Sequence, residues 1–171
     1  MEYSLYNNTI HQISRMLSHA KNWLEKAIEY ADTNNIDQTV LAQYRLRPDM
    51  LPLTKQIQIA CDVSKGCAAR LSGQEAPKHE DNETTLAELI ARIENTQGFL
   101  QQISSEHFEG AESKKIEVKL PKMSLNFTGS DYVNQFVLPN VYFHLSTAYG
   151  ILRYAGISLG KMDFLGDIKQ S

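Results

Sequence analysis

Apolar residues recur at helical spacing over four long stretches of this chain and alternate over one short one. Tyr6, Ile10, Ile13, Leu17, Ala20, Leu24, Ala27, Ile28 and Ala31 share one face when successive residues are set about 100° apart, which predicts a first helix from about Tyr3 to Ala31. The polar turn Asp32-Thr-Asn-Asn35 closes it. Leu53, Ile57, Ala60, Ser64, Cys67, Ala68 and Leu71 form a second such face, ended by Gly73 where a capping glycine is expected. Its small residues imply close approach by another helix. A third face, Leu86, Leu89, Ile90, Ile93, Leu100 and Ile103, is opened by Thr85-Leu-Ala-Glu88, a capping box in which hydroxyl and carboxylate each satisfy a free amide. The fourth starts at a cap within Thr128-Gly-Ser-Asp131, runs to about Tyr154 and stops at Gly156. Pro139 lies inside it; lacking an N–H, it is expected to kink the rod a turn before His144 and free a carbonyl there.

The connections are equally patterned. Asp37 to Tyr44 suits a short helix, and the two prolines of Arg45-Leu-Arg-Pro48-Asp-Met-Leu-Pro52 dictate an irregular link. Gln74 to Asn82 reads as a loop, and Ser104 to Gly110 as a short helical turn. Ile116, Val118 and Leu120 then alternate with charges, and after Pro121-Lys122 the alternation resumes in Met123, Leu125 and Phe127. This predicts a hairpin, too small to stand alone, whose apolar side must rest on the helices. The tail from Ile157 to Gly166 has too many glycines for a helix but enough apolar residues to pack back. The expected fold is all-α: one domain over residues 1–171, a four-helix bundle with a small β-hairpin inserted between the third and fourth helices.

Composition narrows the function. A chain of 171 residues, 42% hydrophobic and 22% charged, is of single-domain size. Its net charge of -3 and scattered basic residues argue against a nucleic-acid surface. No signal-like N-terminus and no run near the ~20 apolar residues of a membrane span are present, so a soluble, cytoplasmic protein is expected. Cys61 and Cys67 stand too far apart along and around one helix to bridge each other, and read as small core residues. His11 and His19 fall well off the first apolar face, as solvated surface histidines would.

The chemistry concentrates in the fourth helix. Asn140 and His144 fall in the middle of the stripe Val133, Phe136, Val137, Phe143, Thr147, Ala148 and Ile151. A buried imidazole one turn above a buried amide needs a partner, for which Asn140, Gln56 and a tyrosine hydroxyl are the candidates. The same imidazole could instead serve a ligand as donor, acceptor or general base. Arg45, Arg47 and Asp49 lie on the loop entering the second helix, either as solvated charges or as a closure over an anionic ligand. Asp62 projects off its helix's stripe, where a salt link is expected. Leu138, Tyr142, Leu145, Tyr149 and Leu152 make a second stripe on the fourth helix, roughly opposite the first. One bundle is not expected to bury both, so either the hairpin and tail or a second subunit should cover it.

The ending Ile151-Leu-Arg-Tyr-Ala-Gly156 resembles the last helix of DinB-like proteins, a bacterial bundle superfamily that includes thiol-dependent transferases and isomerases. That family reads His-x-x-x-His before a leucine-arginine pair and a glycine. Counting back from Leu152, Arg153 and Gly156 puts His144 on the second histidine and Asn140 on the first. The resemblance implies a divalent metal, zinc or nickel, held by these two positions and a third between Gln56 and Asp62, where no histidine occurs. Two of the three family ligands are therefore missing, and His144 alone remains as a metal candidate. Arg45-Leu-Arg-Pro-Asp-Met50, Gln56-Ile-Gln-Ile-Ala-Cys-Asp62, Phe143-His144 and Gly160-Lys-Met-Asp-Phe164 are similar to a subgroup known only as a domain of unknown function. The resemblance implies the bundle and favours a homodimer. Two functions are compatible with it: a small-molecule pocket around His144, Asn140, Gln56 and Arg45 with the metal altered or lost, or a non-catalytic scaffold or stress-associated binding protein.

Overall fold

The apolar faces fold onto one another in a ring. The computed structural model of the chain describes residues 4–168, so the expected start at Tyr3 lies outside the described residues. A π-helical turn, Asn7–His11, leads into α1 (Gln12–Asn34), followed by a short α2 (Gln38–Ala42), α3 (Leu53–Ser72) and α4 (Leu86–Gln101). A hairpin of β1 (Lys115–Leu120) and β2 (Met123–Thr128) comes next. The last rod comprises α5 (Gly129–Asp131), a π-helical turn (Tyr132–Val137) and α6 (Leu138–Tyr154), and α7 (Lys161–Leu165) ends the described chain. α3 packs against α4 and α6, and α1 against the same two helices, so the four long helices close a bundle.

Its core includes Leu17, Trp23, Leu24, Ile57, Leu89, Ile93, Leu145 and Ile151, all essentially without solvent contact. Each such side chain contributes ~1.5–3 kcal/mol of transfer free energy, far more than helix propensity supplies per residue. Ala60, Ser64, Cys67 and Ala68 are fully buried on α3, where their small size brings the neighbouring helix close. Cys61 and Cys67 are free thiols. Burial pushes Cys61 up to about 12 and Cys67 further still, leaving both protonated and unreactive.

The ends of these elements form as their sequences dictate. Thr85 Oγ1 accepts the Glu88 amide at 3.2 Å and Glu88 Oε2 accepts the Thr85 amide at 2.9 Å, completing the capping box. Gly73 closes α3 at φ +79°, and Thr128 Oγ1 caps the last rod through the Asp131 amide. The hairpin is antiparallel with Ile116 opposite Phe127 and Val118 opposite Leu125, and its buried side, Ile116 and Val118, faces the bundle. In place of a simple proline kink, the π-helical turn absorbs the disturbance just before Pro139.

Several expectations need correction. The tail does form a helix, α7, because the Gly160 amide donates to Asp163 Oδ2 at 2.7 Å and caps its first turn. α7 docks on α1: Trp23 Nε1 donates to the Asp163 carbonyl at 2.8 Å, Phe164 stacks on the indole at 5.4 Å, and Lys26 pairs with Asp163 at 2.6 Å. His19 therefore does not lie at the surface. It is 9% exposed, with Nδ1 2.9 Å from the Phe164 carbonyl, because a segment 145 residues downstream folds over a face that α1 alone would leave wet.

The second stripe of the last rod is largely covered inside one chain, by α3 and α1 and, as one of the two expectations had it, by the tail, whose Phe164 meets Tyr149 edge-on at 5.7 Å. α6 is wedged between α3 and α1, so Leu145 and Leu152 are covered as completely as Ala148 and Ile151. Tyr149 meets Trp23 edge-on at 5.6 Å, and Tyr142 accepts a hydrogen bond from Gln12 at 2.6 Å. The residue that escapes is Phe143. Expected in the core, it is 60% exposed, since it lies at the edge of the first stripe where no other helix follows.

Candidate functional site

His144 leaves α6 toward α3 and is 8% exposed. Its Nδ1 lies 2.7 Å from Gln56 Oε1, and Gln56 Nε2 donates to the Leu51 carbonyl at 3.0 Å. The second bond orients the amide: with its NH2 group on a carbonyl, only its oxygen can face the ring. The imidazole proton therefore sits on Nδ1, and Nε2 keeps a free lone pair. Burial lowers the His144 pKa below the ordinary histidine value, so the ring is neutral near pH 7. Nε2 has no protein hydrogen-bond partner and is not sealed among the fully buried atoms. The arrangement presents one neutral acceptor, locked in one tautomer, at the α3–α6 seam.

The other expected residues are differently engaged. Asn140 is half-buried, and its Nδ2 donates to the Phe136 carbonyl at 2.7 Å, on the turn that the π geometry and Pro139 disturb. Arg45 is exposed and reaches only the Met50 carbonyl of its own loop, at 3.4 Å. Arg47 and Asp49 are exposed and 3.9 Å apart. His144 and Gln56 are brought together, then, while Asn140 and Arg45 serve their own segments.

This donor set does not fit the zinc or nickel ion that the resemblance implies. A catalytic zinc takes three protein donors. Here His144 Nε2 stands alone as a donor, since Gln56 spends its amide oxygen on Nδ1 and Asn140 turns its amide to its own helix. Among the described residues, no group of three or more His, Cys, Asp or Glu is placed to hold a metal ion.

A second polar centre lies on the other side of α3. Arg92, its side chain 1% exposed, bonds Glu83 at 2.9 Å and both Asp62 and Asp81 at 2.8 Å. Lys65 adds to Asp62 and Lys55 to Asp81, while Gln58 donates to Glu83 at 2.6 Å. These bonds strap the 73–84 segment over α3 and α4. Burial alone would raise the Glu83 carboxyl, but hydrogen bonds from Arg92 and Gln58 hold it below the usual carboxylate range. His79, enclosed in the same network, is pushed down by burial and by Lys65 and Arg92. Asp62 makes the salt link expected of it. Arg92 was hidden in the sequence by its position between Leu89 and Ile93; a charge on an apolar face, with Asp81 and Glu83 shortly upstream, was the available signal. The strap also borders a pocket of about 1010 Å³ lined by Gln74, Lys78, His79, Glu94, Phe99 and Gln102, away from His144.

A four-helix ring with a hairpin before its last rod, and one histidine on that rod facing the second long helix, defines a DinB-like bundle. The family described as "Domain of unknown function (DUF1993)" matches residues 5–165, and the chain belongs to it. A crystal structure of a DinB family member from Shewanella denitrificans is 40% identical in sequence, with a TM-score of 0.90, over 98% of this chain and 94% of that one. No curated protein matches the chain. Among the described residues, no helix is long and apolar enough to cross a membrane.

Proposed function

We propose that this DinB-like protein binds a small protic molecule at His144 without a metal ion, the ligand donating a hydrogen bond, or yielding a proton, to Nε2. The observation that supports this is the Gln56 hydrogen bond, which fixes the proton on Nδ1 and leaves Nε2 as a neutral acceptor. A thiol, hydroxyl or acidic C–H group suits such an acceptor, and His144 would act as hydrogen-bond acceptor or general base. Arg45, at the mouth of the loop tied down through Leu51, would meet an anionic part of the ligand. We place the protein in the cytoplasm, a reducing compartment that suits its two free cysteines, with no nucleic-acid or membrane partner.

A non-catalytic scaffold or stress-associated binding protein is the competing reading, supported by the local hydrogen bonds that already engage Asn140, Gln56 and Arg45. Metal analysis and thermal melting of untagged protein separate the two, with free cysteine, inorganic phosphate and zinc chloride as probes. On the proposed reading, cysteine or phosphate raises the Tm of the wild type and not of His144→Ala. Stoichiometric zinc or nickel, lost in His144→Ala, would overturn the metal-free site. Absence of any shift would favour the scaffold.

A further inference from the structure

The 73–84 strap closes over α3 and α4 with part of its polar chemistry unmatched. Among the described residues, six buried side-chain atoms lack a hydrogen-bond partner, and four of them lie in this one place: both ring nitrogens of His79, Gln58 Oε1 and Arg92 Nε. A native fold leaves few such atoms, so a cluster of four marks a closure held with little margin. His79 is at its centre. The His79 side chain is only 9% exposed, and Asp62 Oδ1 stands 3.8 Å from Nδ1, beyond hydrogen bonding.

Charge around this ring is already balanced. α3 presents Asp62 and Lys65, α4 presents Arg92, and the strap itself presents Glu83. Asp62 accepts from Lys65 at 2.9 Å and from Arg92 at 2.8 Å, and Glu83 accepts from Arg92 and Gln58, so both carboxylates are already engaged. Glu75, Lys78, Glu80, Glu88, Glu94 and His107, which line the hollows on either side, are exposed and screened by solvent. A neutral imidazole fits the enclosure, though its N–H and lone pair go unpaired. An imidazolium there would be an unbalanced, desolvated charge beside Lys65 and Arg92.

The position of the ring gives its release a consequence. Besides the large hollow against the C-terminal half of α4, a second of about 340 Å³ is lined by Asn82, Glu83, Ala91 and Arg92, and Lys78, His79 and Asn95 belong to both. We propose that His79 is an acid-sensitive latch, whose protonation frees residues 73–84 from the α3–α4 seam and merges the two hollows into one groove along α4. The sign follows from the two states of the strap. Burial, Lys65 and Arg92 lower the pKa of the enclosed ring, whereas the freed ring titrates at the ordinary 6.5, so opening takes up a proton and is favoured as pH falls through that value. The Asp81 and Glu83 carboxyls lie below their usual range and stay ionised meanwhile, which keeps the opening local.

Digestion of the full, untagged chain with a glutamate-specific protease is the test. The bond after Glu83 can enter a protease only once Glu83 has left Arg92 and the segment has come free, so its cleavage rate follows the open population. The initial rate of that cut, divided by the rate of the same cut in a free peptide of residues 77–89, is expected to rise at least ~5-fold between about pH 7.5 and 5. His79→Phe and His79→Gln take up no proton at this position and should hold a constant ratio. Helical circular dichroism should be the same at both pH values in all three proteins. A wild-type ratio that does not change would overturn the latch, as would one that rises just as much in either variant. So would a ratio that rises only as the helical signal is lost, because the opening would then be global.

Discussion

Replacing Gln56 by methionine tests the central feature of the site, because it keeps the side chain's volume and removes both of its hydrogen bonds. Gln56 is 2% exposed, and its partners are His144 Nδ1 at 2.7 Å and the Leu51 carbonyl at 3.0 Å. Losing the first leaves a buried N–H without an acceptor, at a cost of ~1–3 kcal/mol; the Leu51 carbonyl sits on an exposed residue that water can reach and adds little. The expected loss is about 2 kcal/mol, or ~4–8 °C in Tm for a chain of this size. Urea denaturation gives the energy, and long-range 1H–15N NMR of the imidazole gives the cause. In the wild type, His144 should carry its proton on Nδ1; in Gln56→Met that preference should vanish. A wild-type ring protonated on Nε2 would refute the reasoning outright. A variant within about 0.5 kcal/mol of wild type would show that the bond is energetically idle.

Arg92→Met should cost ~3 kcal/mol, the lower end for breaking a buried ion pair, because Glu83 is 12% exposed while Asp62 and Asp81 are 40% and 42% exposed and partly screened by solvent; faster hydrogen exchange confined to the 73–84 segment would separate strap release from global unfolding. Stability should also fall with acid in two steps. His79 and His144 have folded pKa values below the ordinary 6.5, so the unfolded chain binds more protons and stability declines as pH falls through 6.5. Glu83 and Asp81 are likewise depressed, and their contribution, present above the ordinary carboxylate range, is lost as pH falls through it; Arg92→Met should flatten this second step, which denaturation at a series of pH values would reveal. Gly129→Ala should destabilise by at least ~1–3 kcal/mol, since its Cβ would run into the Ala111 carbonyl, and a melting curve unchanged by the substitution would contradict that packing.

Local rules carried the fold almost completely. The capping box at Thr85, the glycine end of α3, the hairpin around Pro121-Lys122 and the bundle itself all follow from spacing and cap chemistry that act within a few residues. The site was half legible. Helical phase placed His144 in the core and Gln56 was among its possible partners, yet no pattern along one helix says that a neighbouring helix will supply the acceptor. The same limit explains His19 and the second stripe of α6: a helical wheel records which face is apolar, not how many neighbours will sit on it. Phe143 errs in the other direction, an apolar residue at the stripe's edge that no neighbour reaches. Arg92 was concealed because its three carboxylate partners come from two other segments.

The clasp between Trp23 and Asp163 joins positions 140 residues apart. At ~5–20 residues per second, roughly 7 to 28 seconds separate the synthesis of one from the other, and for that time the first helix carries a bare indole. Its bundle neighbours α4 and α6 also arrive late. The chain therefore cannot mature from its beginning onward. Every copy passes through an interval in which the Trp23 face is open to whatever else is nearby, and the interval ends when α7 emerges and docks.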